Sequence, residues 1–238
     1  MDILTVVVVF AAAFVAIISQ LLTGFGFALV LIPLLMLVIE PTQAVTVSII
    51  LGLVLNSTVA YCERAHIRRA QAGQLIASSV FGLPLGLGVL YLVSAPVLRI
   101  IIIAVVALAL IIVALKVAIR ATRFTTLACG LLSGTLLPST GVSGPPLVVL
   151  MRAQNYTVRQ YRATLAAVFT VQCLAGLLLL LADGRLQLAV FLYAGMGALM
   201  LPLGYFVGER LFRYIDAARL TRGIILMLLL CMVFVVLR

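Results

Sequence analysis

Thr23-Gly24-Phe25-Gly26-Phe27, followed by Pro33, interrupts the first hydrophobic run of this chain. A second interruption, Pro138-Ser139-Thr140-Gly141-Val142-Ser143-Gly144-Pro145-Pro146, stands at the matching place in the second half. Thr23-Gly24 recurs as Thr140-Gly141, 117 residues on. Leu83-Pro84-Leu85-Gly86 recurs as Leu201-Pro202-Leu203-Gly204, 118 residues on, in a chain of 238. Paired breaks at corresponding points of two hydrophobic halves are the sequence mark of a membrane transporter that binds its solute between discontinuous helices.

Composition agrees. Hydrophobic residues make up 66% of the chain and charged residues 9%, and the mean hydropathy is +1.37. A globule of this size cannot bury so much apolar surface, and several stretches reach the roughly 20 apolar residues that span a bilayer. Residues 100–115 are apolar at nearly every position, whereas a β-barrel strand alternates with period two. The expected class is therefore an all-α polytopic membrane protein. The net charge of +10 sits in short loops, where it orients the chain and meets anionic headgroups; no basic domain exists to bind nucleic acid. Cys62, Cys129, Cys173 and Cys231 are scattered and His66 is the single histidine, so no metal site, cofactor or disulfide framework is expected. Met1-Asp2 lacks the basic start of a signal peptide and reads as the opening of an uncleaved first membrane segment.

The expected spans are a broken stretch at 3–39, spans at 42–61, 72–93 and 97–117, a second broken stretch at 125–152, and spans at 157–182, 185–207 and 223–237. All but Arg99, Arg185 and Arg238 of the 16 basic residues fall in four loops: Arg64, Arg68 and Arg69; Lys116, Arg120 and Arg123; Arg152, Arg159 and Arg162; and Arg210, Arg213, Arg219 and Arg222. The four share the cytoplasmic side only if residues 125–152 enter and leave by one face, as a hairpin of two short helices or two tilted crossings. By the repeat, residues 3–39 do the same from the outer face. The chain then divides into repeats at 1–123 and 124–238 within one membrane domain. Each repeat is a broken-helix hairpin plus three transmembrane helices. The two are related by inverted topology, with both termini outside.

A helix broken inside a bilayer frees backbone groups that lipid cannot satisfy, so such breaks survive around protein or a water-lined cavity. The start of a half-helix offers N–H groups and a positive dipole end to an anion. Candidate substrate-binding residues are Thr23, Gly24, Phe25, Gly26 and Phe27 from the first break, and Ser139, Thr140, Gly141, Ser143 and Gly144 from the second. Pro145-Pro146 suits the opening of the helix that follows. Among Gln20, Asn56, Ser57, Ser78, Ser79, Thr170 and Gln172, polar residues at membrane depth, Asn56 and Gln172 rank first because both lie mid-span, one repeat apart. Phe25 and Phe27 are candidate gates. Gly82-xxx-Gly86 and Gly204-xxx-Gly208 have the spacing of close helix packing, with Pro84 and Pro202 placed to kink their helices. Glu40, Glu63, Asp183, Glu209, Asp216 and His66 all map to loops or span ends, so a buried carboxylate proton carrier is not expected.

The run Thr23-Gly-Phe-Gly-Phe-Ala-Leu-Val-Leu-Ile-Pro-Leu-Leu, followed by Gly141-Val-Ser-Gly-Pro-Pro-Leu-Val-Val-Leu, resembles the TauE/SafE sulfite-exporter family of bacterial membrane permeases. The resemblance covers essentially the whole chain. It implies passage of small sulfur-containing anions, such as sulfite and organosulfonates, across the bacterial inner (plasma) membrane, with substrate held at the two breaks. Many members carry consecutive glycines in the first motif, where this chain has Gly24-Phe25-Gly26-Phe27.

The alternatives are a non-transporting membrane scaffold and a transporter of a non-sulfur organic acid. An intramembrane enzyme is disfavoured, because Ser139 or Ser143 as nucleophile has no Lys, His or Asp in a span to activate it. The partners expected are a small anion and the lipid bilayer; a homodimer and a coupling ion, H⁺ or Na⁺, are left open by the residues.

Overall fold

The computed structural model describes residues 2–184 and 186–214. The expected span at 223–237, together with Arg185, Asp216, Arg219, Arg222, Cys231 and Arg238, lies outside them. The described residues are helical: α1 (Ile3–Thr23), α2 (Gly26–Leu35), α3 (Pro41–Cys62), α4 (Arg69–Leu92), α5 (Ala95–Ala114), α6 (Arg123–Thr140), α7 (Gly144–Arg152), α8 (Val158–Ala182), α9 (Leu188–Leu199) and α10 (Leu201–Tyr214), with a 3-10 turn at Arg64–His66. Among the described residues five helices (α1, α3, α4, α5 and α8) are each long and apolar enough to cross a membrane, and α9 with α10, bent by 44°, reaches that length and apolarity as a pair. This is a multi-pass membrane protein. Its outward faces carry Ile100, Leu108 and Ile111, apolar side chains that lipid solvates.

Local chemistry sets the ends of these helices. Proline opens α3 at Pro41, where a missing N–H costs nothing. Thr122 with Thr125 and Thr157 with Gln160 form reciprocal capping boxes that start α6 and α8. Both expected breaks are present, and they end alike. Gly24 (φ 81°) and Gly141 (φ 72°) close α1 and α6 in the left-handed region, each donating its N–H to the carbonyl four residues back. Only glycine enters that region without a Cβ penalty.

The expected continuous span at 185–207 is corrected: the helix divides at Met200. Pro202 has no N–H for the preceding turn and its ring crowds the carbonyl four residues earlier. α4, by contrast, runs unbroken through Pro84.

Two glycine seams hold the bundle. A Cβ on Gly86 of α4 would lie 2.1 Å from the Thr135 carbonyl oxygen of α6, and one on Gly82 would lie 2.2 Å from that of Leu131. On the other side, Cβ atoms on Gly204 and Gly208 of α10 would press into Ile17 and Leu21 of α1. Gly86 and Gly204 stand 118 residues apart, and so do the residues they meet, Thr135 and Ile17. Each seam joins a helix of one half to a helix of the other.

The basic segments gather at one end of the bundle. Arg68 donates to Gln160 and its backbone N–H to Thr164. Arg152 donates to the Ile112 and Val113 carbonyls at the end of α5, and the Ile119 N–H to the Val149 carbonyl. These bonds bring the end of α7 back beside the segment that leads into α6. Residues 123–152 thus leave the basic end, turn at Gly141 and return to it. α7, at nine residues, rises about 14 Å and α2, at ten, about 15 Å, half of a hydrocarbon core of ~30 Å. Both half-helices sit in the middle of the molecule: Val30, Leu31, Ile32, Leu147, Val148 and Leu150 are fully buried.

Arg162 is also corrected. Expected in a basic loop, it lies within the first turns of α8 and is buried. Its position is fixed by carboxylates of other helices, Glu63 and Glu209.

Candidate functional site

The breaks meet. A Cβ on Gly144, the first residue of α7, would lie 3.1 Å from Phe25 Cβ, so the N-terminal ends of α2 and α7 abut at the centre of the bundle. Between them is a cavity of about 30 Å³, lined by Phe25 and Phe27 from the first break, Gly141, Ser143 and Gly144 from the second, and Asn56 from α3. Space of that size holds two or three waters, so the two breaks stand close together around it.

Six of the expected residues therefore reach one cavity, and the others build its walls from behind. The Thr23 hydroxyl donates to the Ser19 carbonyl and accepts the N–H groups of Gly26, at 2.9 Å, and Phe25. Gly24 and Gly26 shape the chain at that cap; a Cβ on Gly26 would fall 2.2 Å from Ser19 Oγ. Ser139 and Thr140 donate back to carbonyls of their own helix, and Thr140 accepts the Val142 N–H. Gln172 of α8 faces Ser133 of α6: its Nε2 donates to Ser133 Oγ at 3.0 Å, while that hydroxyl holds the Ser143 carbonyl at 2.8 Å. Gln172 thus orients the second break through Ser133 without lining the cavity.

Gln20 is the residue that sequence reasoning placed too low. Its Oε1 accepts the Phe27 N–H at 3.0 Å, and its Nε2 donates to the Gly24 carbonyl at 3.1 Å and to Asn56 Oδ1 at 2.8 Å. One buried amide spans the whole first break and ties it to α3. The available signal was an amide in an otherwise apolar helix, four residues before the terminating glycine. Ser48, Gly52, Phe169 and Cys173 also line the cavity and were not singled out, because a lone small or apolar residue in a hydrophobic span carries no mark.

The lining is neutral and largely apolar, with few polar groups. Thr23 and Gln20 take up the first N–H groups of α2. α7 opens Gly144-Pro145-Pro146, so among its first three residues only Gly144 has an N–H to offer. Ser143, Gly144 and the Asn56 amide are the groups left facing the cavity.

The two ends of the molecule differ. Away from the basic segments, a cavity of about 210 Å³, lined by Thr42, Gln43, Thr46, Pro138, Gly184 and Gln187 among others, leads in toward the second break. Gln43 and Gln187 are joined there by a hydrogen bond of 2.8 Å. On the basic side Arg162 pairs with Glu63 at 3.1 Å and with Glu209, directly behind the first break, where a Cβ on Gly24 would lie 3.4 Å from Arg162 Cγ. Burial pushes the Glu63 carboxyl above the usual carboxylate range; Arg162 acts against this, Glu209 adds to it, and Arg159 and His66 oppose it more weakly.

No curated protein and no solved structure matches this chain. The family model described as sulfite exporter TauE/SafE matches residues 9–235, both breaks and the cavity between them included. With that match over nearly its whole length, the chain belongs to the TauE/SafE sulfite exporter family of membrane transporters.

Proposed function

We propose that this chain carries a small sulfur-containing anion, sulfite or an organosulfonate, across the bacterial inner membrane, and binds it in the cavity between the two broken segments. The observation that carries the reading is the meeting of Gly144 with Phe25. It puts the starts of two half-helices, each a positive dipole end, on one neutral pocket. Phe25 and Phe27 gate it, Ser143, Gly144 and Asn56 contact the anion, and Thr23, Gly24, Gly26, Ser139, Thr140, Gly141 and Gln172 hold the breaks in shape. Residues 1–123 and 124–238 act as inverted repeats that rock about the site. Support comes from the matched left-handed caps at Gly24 and Gly141 and from the seams in which Gly86 meets Thr135 as Gly204 meets Ile17. The basic end faces the cytoplasm, by the excess of arginine there.

Uptake of labelled sulfite, thiosulfate, sulfoacetate, taurine and lactate into proteoliposomes tests this. Saturable entry of a sulfur anion is expected, and Ser143→Leu reduces it by at least ~10-fold in protein that still elutes as a single folded species. Entry of lactate alone removes the sulfur assignment. Absence of flux under every ion gradient turns the reading toward a scaffold.

A further inference from the structure

Arg162 is 2% exposed, a charge inside a helix that spans the membrane. Its Nη2 holds Glu63 and Glu209, and its Cζ lies 4.3 Å from the centre of the Phe212 ring. Nε and Nη1 are buried without a hydrogen-bond partner. Those two nitrogens carry three of the five N–H donors of a guanidinium, and a buried donor left unpaired is a net loss to the fold.

Packing does not ask for this residue. Arg162 is the fifth residue of α8 and lies behind Gly24; Val45 is the fifth residue of α3 and lies behind Gly141, where a Cβ would meet Val45 Cγ1 at 3.6 Å. Arg162 and Val45 are 117 residues apart, as are the two glycines. The same architecture is filled by valine at one break and by arginine at the other. Apolar replacement of a buried ion cluster is often neutral or stabilising, so the arginine serves something other than stability.

Along α8, Arg162 stands two turns from Phe169, which lines the central cavity, a rise of about 10 Å toward the basic end. We propose that Arg162 is a second station for the transported anion, on the basic side of the first break, and that Glu63 yields Arg162 to the anion when it accepts a proton. The proposal rests on the anion-transport reading and deepens it: it names a charged residue for the neutral pathway and a carboxyl whose protonation controls access to it. The balance is simple. A proton from the solution at the basic end joins the Glu63 carboxylate, the anion replaces that carboxylate on Arg162, and on departure of the anion the proton returns to the same solution and the ion pair re-forms. Glu63 is the partner that moves because it is the more buried, with a side chain 14% exposed against 29% for Glu209, and because its Oε2 is buried without a partner. The charged and titratable groups around the cluster are Arg159 and Arg162 on α8, Glu209 and Tyr205 on α10, His66 on the 3-10 turn, and Cys62 beside Glu63. Burial holds the Glu63 carboxyl above the carboxylate range, so the protonated form gains weight as pH falls, and anion binding at Arg162 strengthens in the same direction.

The test is equilibrium binding of labelled thiosulfate, whose charge is constant over the range used, to the purified full chain at about pH 6 and about pH 8. Wild-type affinity is expected to fall ~10-fold between the two. Glu63→Gln binds at both with the affinity of the acid condition, and Arg162→Gln binds ~10-fold more weakly at both. Ser143→Leu weakens binding and keeps the pH slope. If Glu63→Gln retains the wild-type slope, or a folded Arg162→Gln binds as wild type does, the station is overturned and Arg162 is only a clasp between α8 and α10. If Arg162→Gln loses binding while Ser143→Leu does not, the station stands and the central cavity falls. Where Arg162→Gln does not fold, the slope of Glu63→Gln decides alone.

Discussion

Gln20 satisfies three polar groups at a place where lipid and neighbouring side chains offer none: the Phe27 N–H, the Gly24 carbonyl and the Asn56 carbonyl oxygen. Each group left buried and unpaired costs about 1–3 kcal/mol. Gln20→Leu keeps the volume and removes every bond, so a loss of stability of ~3 kcal/mol is expected, seen as a lower unfolding temperature in detergent, together with loss of flux. Gln20→Glu, protonated, keeps one donor and one acceptor and falls between the two. Equal stability of Gln20→Leu and wild type would mean that water, not Gln20, satisfies the break. The contrast between Thr23 and Gln20 shows what a sequence exposes at this scale. Thr23 stands inside a visible motif, while Gln20 acts through a residue seven positions on and another 36 positions on. Arg162 is harder still. Its partners lie 99 and 47 residues away, and a membrane-proximal arginine in a basic stretch looks the same whether it faces water or is clasped by two carboxylates.

At the scale of elements, hydropathy and the glycine–proline punctuation were enough to place the breaks and the spans around them. The reason is physical: a spanning helix must be apolar along its length, and a glycine able to enter the left-handed region is a common way to stop a helix. The bend at Met200 was less legible, since Pro202 repeats Pro84 in sequence while α4 passes Pro84 unbroken. The same Leu-Pro-Leu-Gly stretch therefore carries no local mark of which helix bends. The packing glycines, in contrast, make a sharp prediction within one helix. A Cβ on Gly86 meets backbone, the Thr135 carbonyl oxygen at 2.1 Å, whereas one on Gly88 meets nothing within 4 Å. Gly86→Ala must push α4 away from α6 and is expected to cost about 1–3 kcal/mol, as overpacking does. Gly88→Ala is expected to be neutral or slightly stabilising, by up to ~1 kcal/mol from helix propensity. Thermal unfolding of the two variants side by side checks this; similar melting of both would show that α4 and α6 do not rest on each other at Gly86.

For the whole molecule, the two ends carry different closures. On the basic side, Arg162 draws α8, α10 and the end of α3 together through Glu63 and Glu209. On the other side an amide pair, Gln43 with Gln187, joins the start of α3 to the start of α9 beside a cavity of about 210 Å³. The ionic clasp is buried and the amide pair is exposed, so the end away from the basic segments is the less tightly held of the two. Transport by rocking requires the order to reverse: the clasp opens as the region around Gln43 and Gln187 closes. A tether that fixes Gln43 to Gln187 at the present separation must then stop turnover while leaving one round of binding intact. In a Cys62→Ser background, which removes an exposed thiol, Gln43→Cys with Gln187→Cys bridged by a short bis-thiol reagent is expected to lower flux at least ~10-fold. Thiosulfate binding in detergent should stay within about twofold of the untethered protein. The background treated with the same reagent reports any effect of the remaining thiols. If the tethered protein still turns over at the rate of the untethered one, the ends do not move against each other. The anion would then cross a fixed pathway through the cavity, and the molecule would act as a channel in which Arg162 is a binding site along the way and no part of a gate.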